Sequence, residues 1–449
     1  MHHIRLVVFA SLLHDSSSVM NSRQELFESI RKFAELEVIY PSTLASQSAK
    51  RGPRRFYEGA DSNTSDRSEE LLTQDPETRT LCFIATGGTE EMFRTFIDVL
   101  PKPVTVLSDG FHNSFAASFE ICSWLGAKGI ENTLINVPLD CNPEFFKGLE
   151  EKLFGEKAGF AQTDGCIKLS DAPVFDYPKN TLHLLSKSRI GLIGGASSWL
   201  IASDVDIPAV EKKYGAKFLN IGIKELEEAY MATDTSDAAV NSTVVRMERF
   251  LTADRTREQL ADAARMYVAL KTICTKYELT ALTLKCFDIL DSCKTTACLA
   301  LGLLNDEGVI CGCEGDIPTL WSMLVIHLTW GKPSFMSNPS SSNSRENTVD
   351  FAHCTIPMKM LHGYRLPSHF ESSIGIGIQG SLPCGRYGIL KFYGKELDRA
   401  YRAEGDIIMN TNIPQRCRTQ IRFKFADAAE YARFIAHRTA NHVAIYSLD

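Results

Sequence analysis

Between Cys313 and Cys354 the chain reads CEGDIPTLWSMLVIHLTWGKPSFMSNP, then a Ser/Asn-rich loop, then ENTVDFAHC. Glu314 follows an apolar strand and precedes a helix, Asn338 ends a second strand, and a third strand carries His353. A carboxylate and an imidazole delivered by strand ends are the parts of an oxygen/nitrogen metal site. If they converge, they offer a hard divalent cation protein ligands and leave positions for a substrate. The chemistry that follows is metal-assisted catalysis rather than passive binding.

The elements that must position these groups are those of a layered protein. At 449 residues the chain exceeds one hydrophobic core, so two or three domains are expected. Short apolar runs alternate with amphipathic helices in the first third: strand Leu6–Phe9, helix Gln24–Leu36, strand Leu81–Ala85, helix Met92–Leu100, strand Val104–Leu107, helix Ser114–Leu125 and strand Asn132–Val137. A second unit begins near Arg189 with IGLIGG. It continues through helix Ile207–Tyr214, strand Lys217–Ile221, helices Ile223–Ala232 and Arg257–Tyr277, strand Ala281–Phe287, helix Thr296–Leu304 and strand Val309–Cys313. Continuous apolar strands separated by helices imply parallel sheets covered on both faces. From about residue 348 the pattern changes to short strands, many glycines and one clear helix, Ala426–Ala436, which predicts an antiparallel sheet or barrel. The fold class is therefore α/β, with two Rossmann-like layers (1–180 and 181–345) followed by a β-rich domain (346–449).

Composition narrows the function. Apolar residues make up 44% and charged residues 23%, ordinary for a globular protein, and the net charge is −7. The one short basic run, KRGPRR at Lys50–Arg55, reads as a solvated turn in a polar excursion (42–79), so nucleic acid is not an expected partner. Thirteen cysteines, several inside apolar strands (Cys82, Cys311, Cys313), read as buried reduced thiols of a cytoplasmic protein. Cys311-Gly-Cys313 is not a zinc-ribbon spacing. Residues 4–10 read as a strand rather than a signal peptide, and the longest apolar run, Leu320–Trp330, is too interrupted to span a membrane.

Three glycine-rich segments compete for attention. Gly375-x-Gly377-x-x-Gly380 has dinucleotide-fingerprint spacing but precedes turn and strand, not helix, so a β corner is the better reading and no nucleotide cofactor is expected. Gly87-Gly88 and Gly194-Gly195 lie at strand-to-helix turns, where backbone N–H groups either close the turn or meet a polar ligand.

The segments EGD-I-P-x-L, FM-x-N-P, AHC-T-I-P and NHV-A-I-Y, in that order, resemble the L-fucose and L-arabinose isomerases. They are most similar to the smaller L-fucose isomerase-like proteins, and the resemblance extends to TGGTEE, HNSFAASFE and GLIGGASSWLIASDVD. It implies three domains, a divalent metal (usually Mn2+), aldose–ketose interconversion of a sugar such as a pentose or 6-deoxyhexose, and a homo-oligomer, trimer or hexamer, with active sites shared between subunits. Carried over by position, Glu314 falls on the metal-binding acid/base carboxylate, Asn338 on a second carboxylate, and His353 and His442 on metal histidines. His112 and Asn113 fall where a substrate contact to an adjacent subunit is expected, with helix capping as the alternative.

Asn338 departs from that pattern. An amide oxygen can ligate a cation but cannot carry a proton. Asp316, His353 or a bound water would then manage the hydroxyl proton. Each residue also has a plainer reading: Asp316 as helix cap, Asn338 before Pro339 as turn former, His353 as core histidine. Asp288, at the end of the strand LTLKCF, is a further candidate acid. The alternative to an isomerase is a sugar-binding or regulatory protein on the same scaffold. A sugar lyase or epimerase is a third option.

Overall fold

A computed structural model describes residues 2–11, 16–40, 77–155, 174–438 and 440–449. The polar excursion at 42–79, apart from its last residues, and the basic run within it lie outside them.

Among the described residues the strands form two parallel sheets, a closed barrel and a two-stranded sheet of Gly363–Arg365 with Gln379–Ser381. The first sheet has five strands in the spatial order Ala34–Ile39, His2–Phe9, Thr78–Ile84, Val104–Ser108 and Asn132–Asn136, all parallel. The second has four, in the order Lys217–Ile221, Arg189–Ile193, Ala281–Leu284 and Ile310–Gly312, again all parallel. In both, the first strand in sequence lies inside the sheet, so the chain winds outward in two directions. Loops leaving the strand ends at such a switch point diverge and leave a crevice.

The helix expected over Gln24–Leu36 stops at Arg31, and Ala34–Ile39 becomes the edge strand of the first sheet. The apolar residues of that segment fit either period, and parallel pairing with His2–Phe9 decides it. Strand Ala281–Leu284 is also shorter than expected, because Cys286–Ile289 turns into a 3-10 helix.

Six antiparallel strands close the barrel in the order Phe335–Asn343, Thr348–His353, Thr419–Phe425, Arg399–Asn410, Gly385–Tyr393 and Val443–Ser447. The strand containing Asn338 pairs within this barrel and not with the central sheet. It runs on through Pro339, with a register shift between Pro339 and Ser341, so Asn338 does not open a turn. The Gly375–Gly380 segment is a corner leading into the short strand Gln379–Ser381. A Cβ on Gly375 would lie 2.6 Å from the Thr296 backbone nitrogen, so close backbone approach explains that glycine.

The helix Ser114–Ala127 joins the layers. Its sequence, SFAASFEICSWLGA, is apolar on all sides and is buried along nearly its whole length, as expected of a helix packed on every face. Its one acid, Glu120, is fully buried. Glu120 Oε1 accepts from the Ala202 N–H (2.6 Å) and the Ser203 hydroxyl, while Oε2 accepts from the Asn441 N–H (2.9 Å). One side chain thereby ties the first layer to a loop of the second and to the barrel segment that carries His442.

Candidate metal centre

The turn after strand Ile310–Gly312 builds the site. Glu314 and Gly315 both adopt left-handed backbone angles (φ 57° and 64°), a conformation a non-glycine residue takes only when its surroundings enforce it. The Gly315 N–H donates to Leu284 O and the Asp316 N–H to Cys313 O. A Cβ on Gly315 would sit 2.8 Å from the Ser197 nitrogen and 2.9 Å from Gly195 O. The GGASS loop therefore packs directly on the turn and holds Glu314 outward.

Two histidines flank that carboxylate. His353 Nε2 lies 3.5 Å from Glu314 Oε1, and His442 Nε2 lies 3.5 Å from Glu314 Oε2. The two imidazole rings meet edge to face with centroids 5.3 Å apart. Glu314, His353 and His442 bring ligand atoms within 4.8 Å of one another, a group that could hold a metal ion. Asn338 is adjacent through the ladder. It pairs with Ala352, the residue before His353, and Ser337 pairs with Val443, the residue after His442.

Asp316 braces the group from behind. It caps the helix Ile317–Trp330, its Oδ1 accepting from the Thr319 N–H at 2.7 Å. Its Oδ2 also accepts from His442 Nδ1 at 3.0 Å and from Lys391 Nζ at 3.2 Å. Both Asp316 and Lys391 are completely buried, so each charge depends on the other. The cap expected from the sequence is present, and the same side chain also holds His442. A carboxylate on Nδ1 fixes the histidine tautomer and points the Nε2 lone pair at a cation, the usual support for a metal-bound imidazole.

The two histidines differ in this respect. His353 Nδ1 accepts the Thr355 N–H at 3.0 Å, which places the proton of the neutral ring on Nε2, facing Glu314. In this arrangement His353 donates to Glu314, while His442, held at Nδ1 by Asp316, turns Nε2 toward the other Glu314 oxygen.

Electrostatics follow from burial and these contacts. Burial works against the Glu314 charge, but the His442 charge and the His353 hydrogen bond outweigh it and hold the carboxyl below the usual range. Burial likewise opposes the Asp316 charge, and Lys391 and His442 overcome it. Burial works against charge on His442, yet Glu314 and the Asp316 hydrogen bond raise it to about 9. Burial lowers His353, with Glu314 only partly opposing.

Polar atoms around this centre lack partners among the described residues. Asn338 Oδ1, Ser337 Oγ, Thr355 Oγ1, Ser197 Oγ, Glu90 Oε2 and His442 Nε2 are buried without a hydrogen bond. Buried polar atoms are rarely left so. Glu314, His353 and His442 together are a donor set that fits a divalent cation once His442 Nε2 gives up its proton.

The remaining expected residues are placed as follows. Asn113, in a left-handed conformation at the start of the long buried helix, makes no side-chain cap bond and donates from Nδ2 to Glu371 Oε1 at 2.8 Å. His112 Nδ1 is 3.0 Å from Arg23 Nη1, and its N–H donates to Gln415 O. Asp288 pairs with Lys285 at 3.4 Å, is largely exposed, and stands outside the group. Three acids were not singled out from sequence: Glu90, Glu120 and Glu371. Glu90 opens a helix just after Gly87-Gly88-Thr89, and burial with the charges of Glu120 and Glu314 raises its carboxyl to about 8. The TGGTEE and SFE segments were visible, but nothing local separates a buried Glu from a solvated one.

Over 91 residues, one fifth of this chain and one fifth of the relative, the sequence is 31% identical to a sulfoquinovose isomerase of Clostridium sp. (strain MSTE9). The aligned stretch thus spans only a fifth of that relative's length. No family model matches the chain. The similarity is to a sugar isomerase. Among the described residues no helix is long and apolar enough to cross a membrane.

Proposed function

We propose that this chain is a metal-dependent aldose–ketose isomerase acting on a sugar of the pentose or 6-deoxyhexose class. The observation that carries the reading is Glu314 held 3.5 Å from both His353 and His442, with His442 braced by Asp316. The partial likeness to a sulfoquinovose isomerase supports a sugar as substrate. Glu314, His442 and the Asn338 amide oxygen would hold the ion, with Mn2+ suited to that oxygen/nitrogen set. When bound, the metal orients the sugar oxygens and stabilises negative charge on them.

The protein's own groups do the rest. Glu314, ionised at neutral pH, takes the proton from the carbon next to the carbonyl and returns it to the neighbouring carbon. His353 steadies that carboxylate through Nε2–H. Asp316 keeps His442 in one tautomer, and Lys391 keeps Asp316 ionised where both are fully buried. The uncommitted polar atoms of Ser337, Thr355 and Ser197 offer hydrogen bonds to sugar hydroxyls.

The test is incubation of the Mn2+-loaded protein in deuterated water with aldoses and ketoses of five and six carbons, followed by NMR. Deuterium at C1 or C2 of one sugar, lost in Glu314→Gln, supports the reading. No incorporation into any sugar refutes it. The amide at Asn338 favours one second reading, a sugar-binding protein without turnover. Saturable sugar binding unaffected by Glu314→Gln, with no exchange, would establish that alternative.

A further inference from the structure

We propose that Glu371 is the proton relay between the two sugar oxygens, the task that the amide of Asn338 cannot perform. This rests on the isomerase reading and adds a residue to it.

Glu371 lies in a tight, partly exposed turn that Asn113 ties to the start of the helix Ser114–Ala127. The turn is pinned by the Ser373 N–H donating to His369 O (3.1 Å), by His369 Nδ1 against the Ser372 hydroxyl (2.9 Å), and by Gly375 seated on Thr296. Its position relative to Glu314 follows from a short chain of contacts. His353 holds Glu314. The next residue, Cys354, hydrogen-bonds Cys417, and Cys417 lies 3.7 Å from Asn113 Nδ2. The same Asn113 nitrogen donates to Glu371 Oε1. The Glu371 and Glu314 charges are close enough to repel. Glu371 keeps part of its surface open, whereas Ser368 and His369 beside it are buried.

The chemistry needs such a group. As Glu314 removes the C2 proton of an aldose, the C–H electron pair forms the C1=C2 bond, and O1 needs a proton. Glu371, as the acid, supplies it. The resulting Glu371 carboxylate then accepts the proton of the C2 hydroxyl as C2=O forms, and Glu314 gives its proton to C1. Both carboxyl groups end as they began, and no oxidant or further reactant is consumed. Burial and the charge of Glu314 push the Glu371 carboxyl up from its ordinary range, the direction that favours the acid form. Asn113 leaves the other carboxyl oxygen available for exchange.

Glu90 is the rival. It also feels the Glu314 charge, but it is fully buried and its stronger Coulombic neighbour is Glu120.

Glu371→Gln tests the assignment, because a glutamine oxygen can still accept from Asn113. With the Mn2+-loaded protein and the sugar that wild type isomerises, kcat should fall about 100-fold or more, with KM changed less than about threefold. Mn2+ affinity, measured separately by titration, should be unchanged. Glu371→Asp should recover part of kcat. Wild-type kcat in Glu371→Gln, or a joint loss of Mn2+ affinity and turnover, overturns the relay. So does a collapse confined to Glu90→Gln. If wild type itself exchanges no deuterium into any sugar, the isomerase reading fails and the relay with it. If wild type exchanges and Glu371→Gln matches it, only the relay fails.

Discussion

Protons and a divalent cation compete for His442 Nε2, and this competition can be measured. In the metal-free protein burial opposes charge on this ring, but Glu314 and Asp316 prevail and its pKa rises to about 9. Nε2 must lose its proton to ligate. At about pH 7 the ring stands roughly two units below that value, and each unit is about 1.4 kcal/mol, so Mn2+ binding is weakened by about 2.7 kcal/mol, or roughly 100-fold. Glu314 adds no slope there, because it is already ionised. The apparent Kd should fall about tenfold per unit between about pH 6 and pH 8 and level off near pH 9. Calorimetric titration in two buffers of different ionisation enthalpy should report close to one proton released per ion at about pH 7. A flat affinity across that range, or release of less than about a fifth of a proton, would refute the assignment of His442 as a ligand. The same linkage bears on stability. A raised imidazole stabilises the metal-free fold fully below its ordinary pKa, and that contribution is lost as the pH climbs through about 9.

Other expectations concern single residues. Asp316→Asn removes the partner of the buried Lys391 and the orienting group of His442, so stability should drop by about 3–5 kcal/mol in urea unfolding and Mn2+ affinity by about 10–100-fold. Because Asp316→Asn leaves the buried Lys391 without its ion-pair partner, Asp316→Asn combined with Lys391→Met should unfold at higher urea than Asp316→Asn alone. Asn338→Asp adds a charged oxygen where an orphaned amide oxygen now sits, and should tighten Mn2+ binding at least about tenfold in a chelator competition. Gly315→Ala meets both a left-handed backbone and the Ser197 nitrogen at 2.8 Å, and should destabilise the fold by about 1–3 kcal/mol in thermal or urea unfolding.

Much of this arrangement could be read from the chain. Apolar strands before Gly194-Gly195 and Glu314 announce parallel sheets, because only strands buried on both faces are apolar throughout. The Asp-Ile-Pro start of the helix after Glu314 is a cap with its own signature, and the cap is present. What stayed hidden depends on contacts between distant segments. Residues 34–39 carry too little periodicity to choose between helix and strand, and the neighbouring strand chooses. Asn338 looked like a turn former because Pro339 follows it, yet a ladder irregularity absorbs the proline. Glu371 and Asn113, 258 positions apart, meet only through docking of the layers, and no local pattern encodes that meeting. The same holds for the choice between ligand and hydrogen-bond donor at His353, which turns on the direction of one backbone N–H two residues away.

The buried Glu120 bridge makes reactivity a property of assembly. Its carboxyl oxygens reach residues 82 and 321 positions further along the chain, and the second of these directly precedes His442. A fragment containing Glu314 and both histidines but lacking the first 130 residues would keep the ligating atoms and lose the strut that sets one of them. Any loosening between layers would register first as weaker ion retention, well before the chain unravels, so cation affinity can serve as a gauge of interdomain docking.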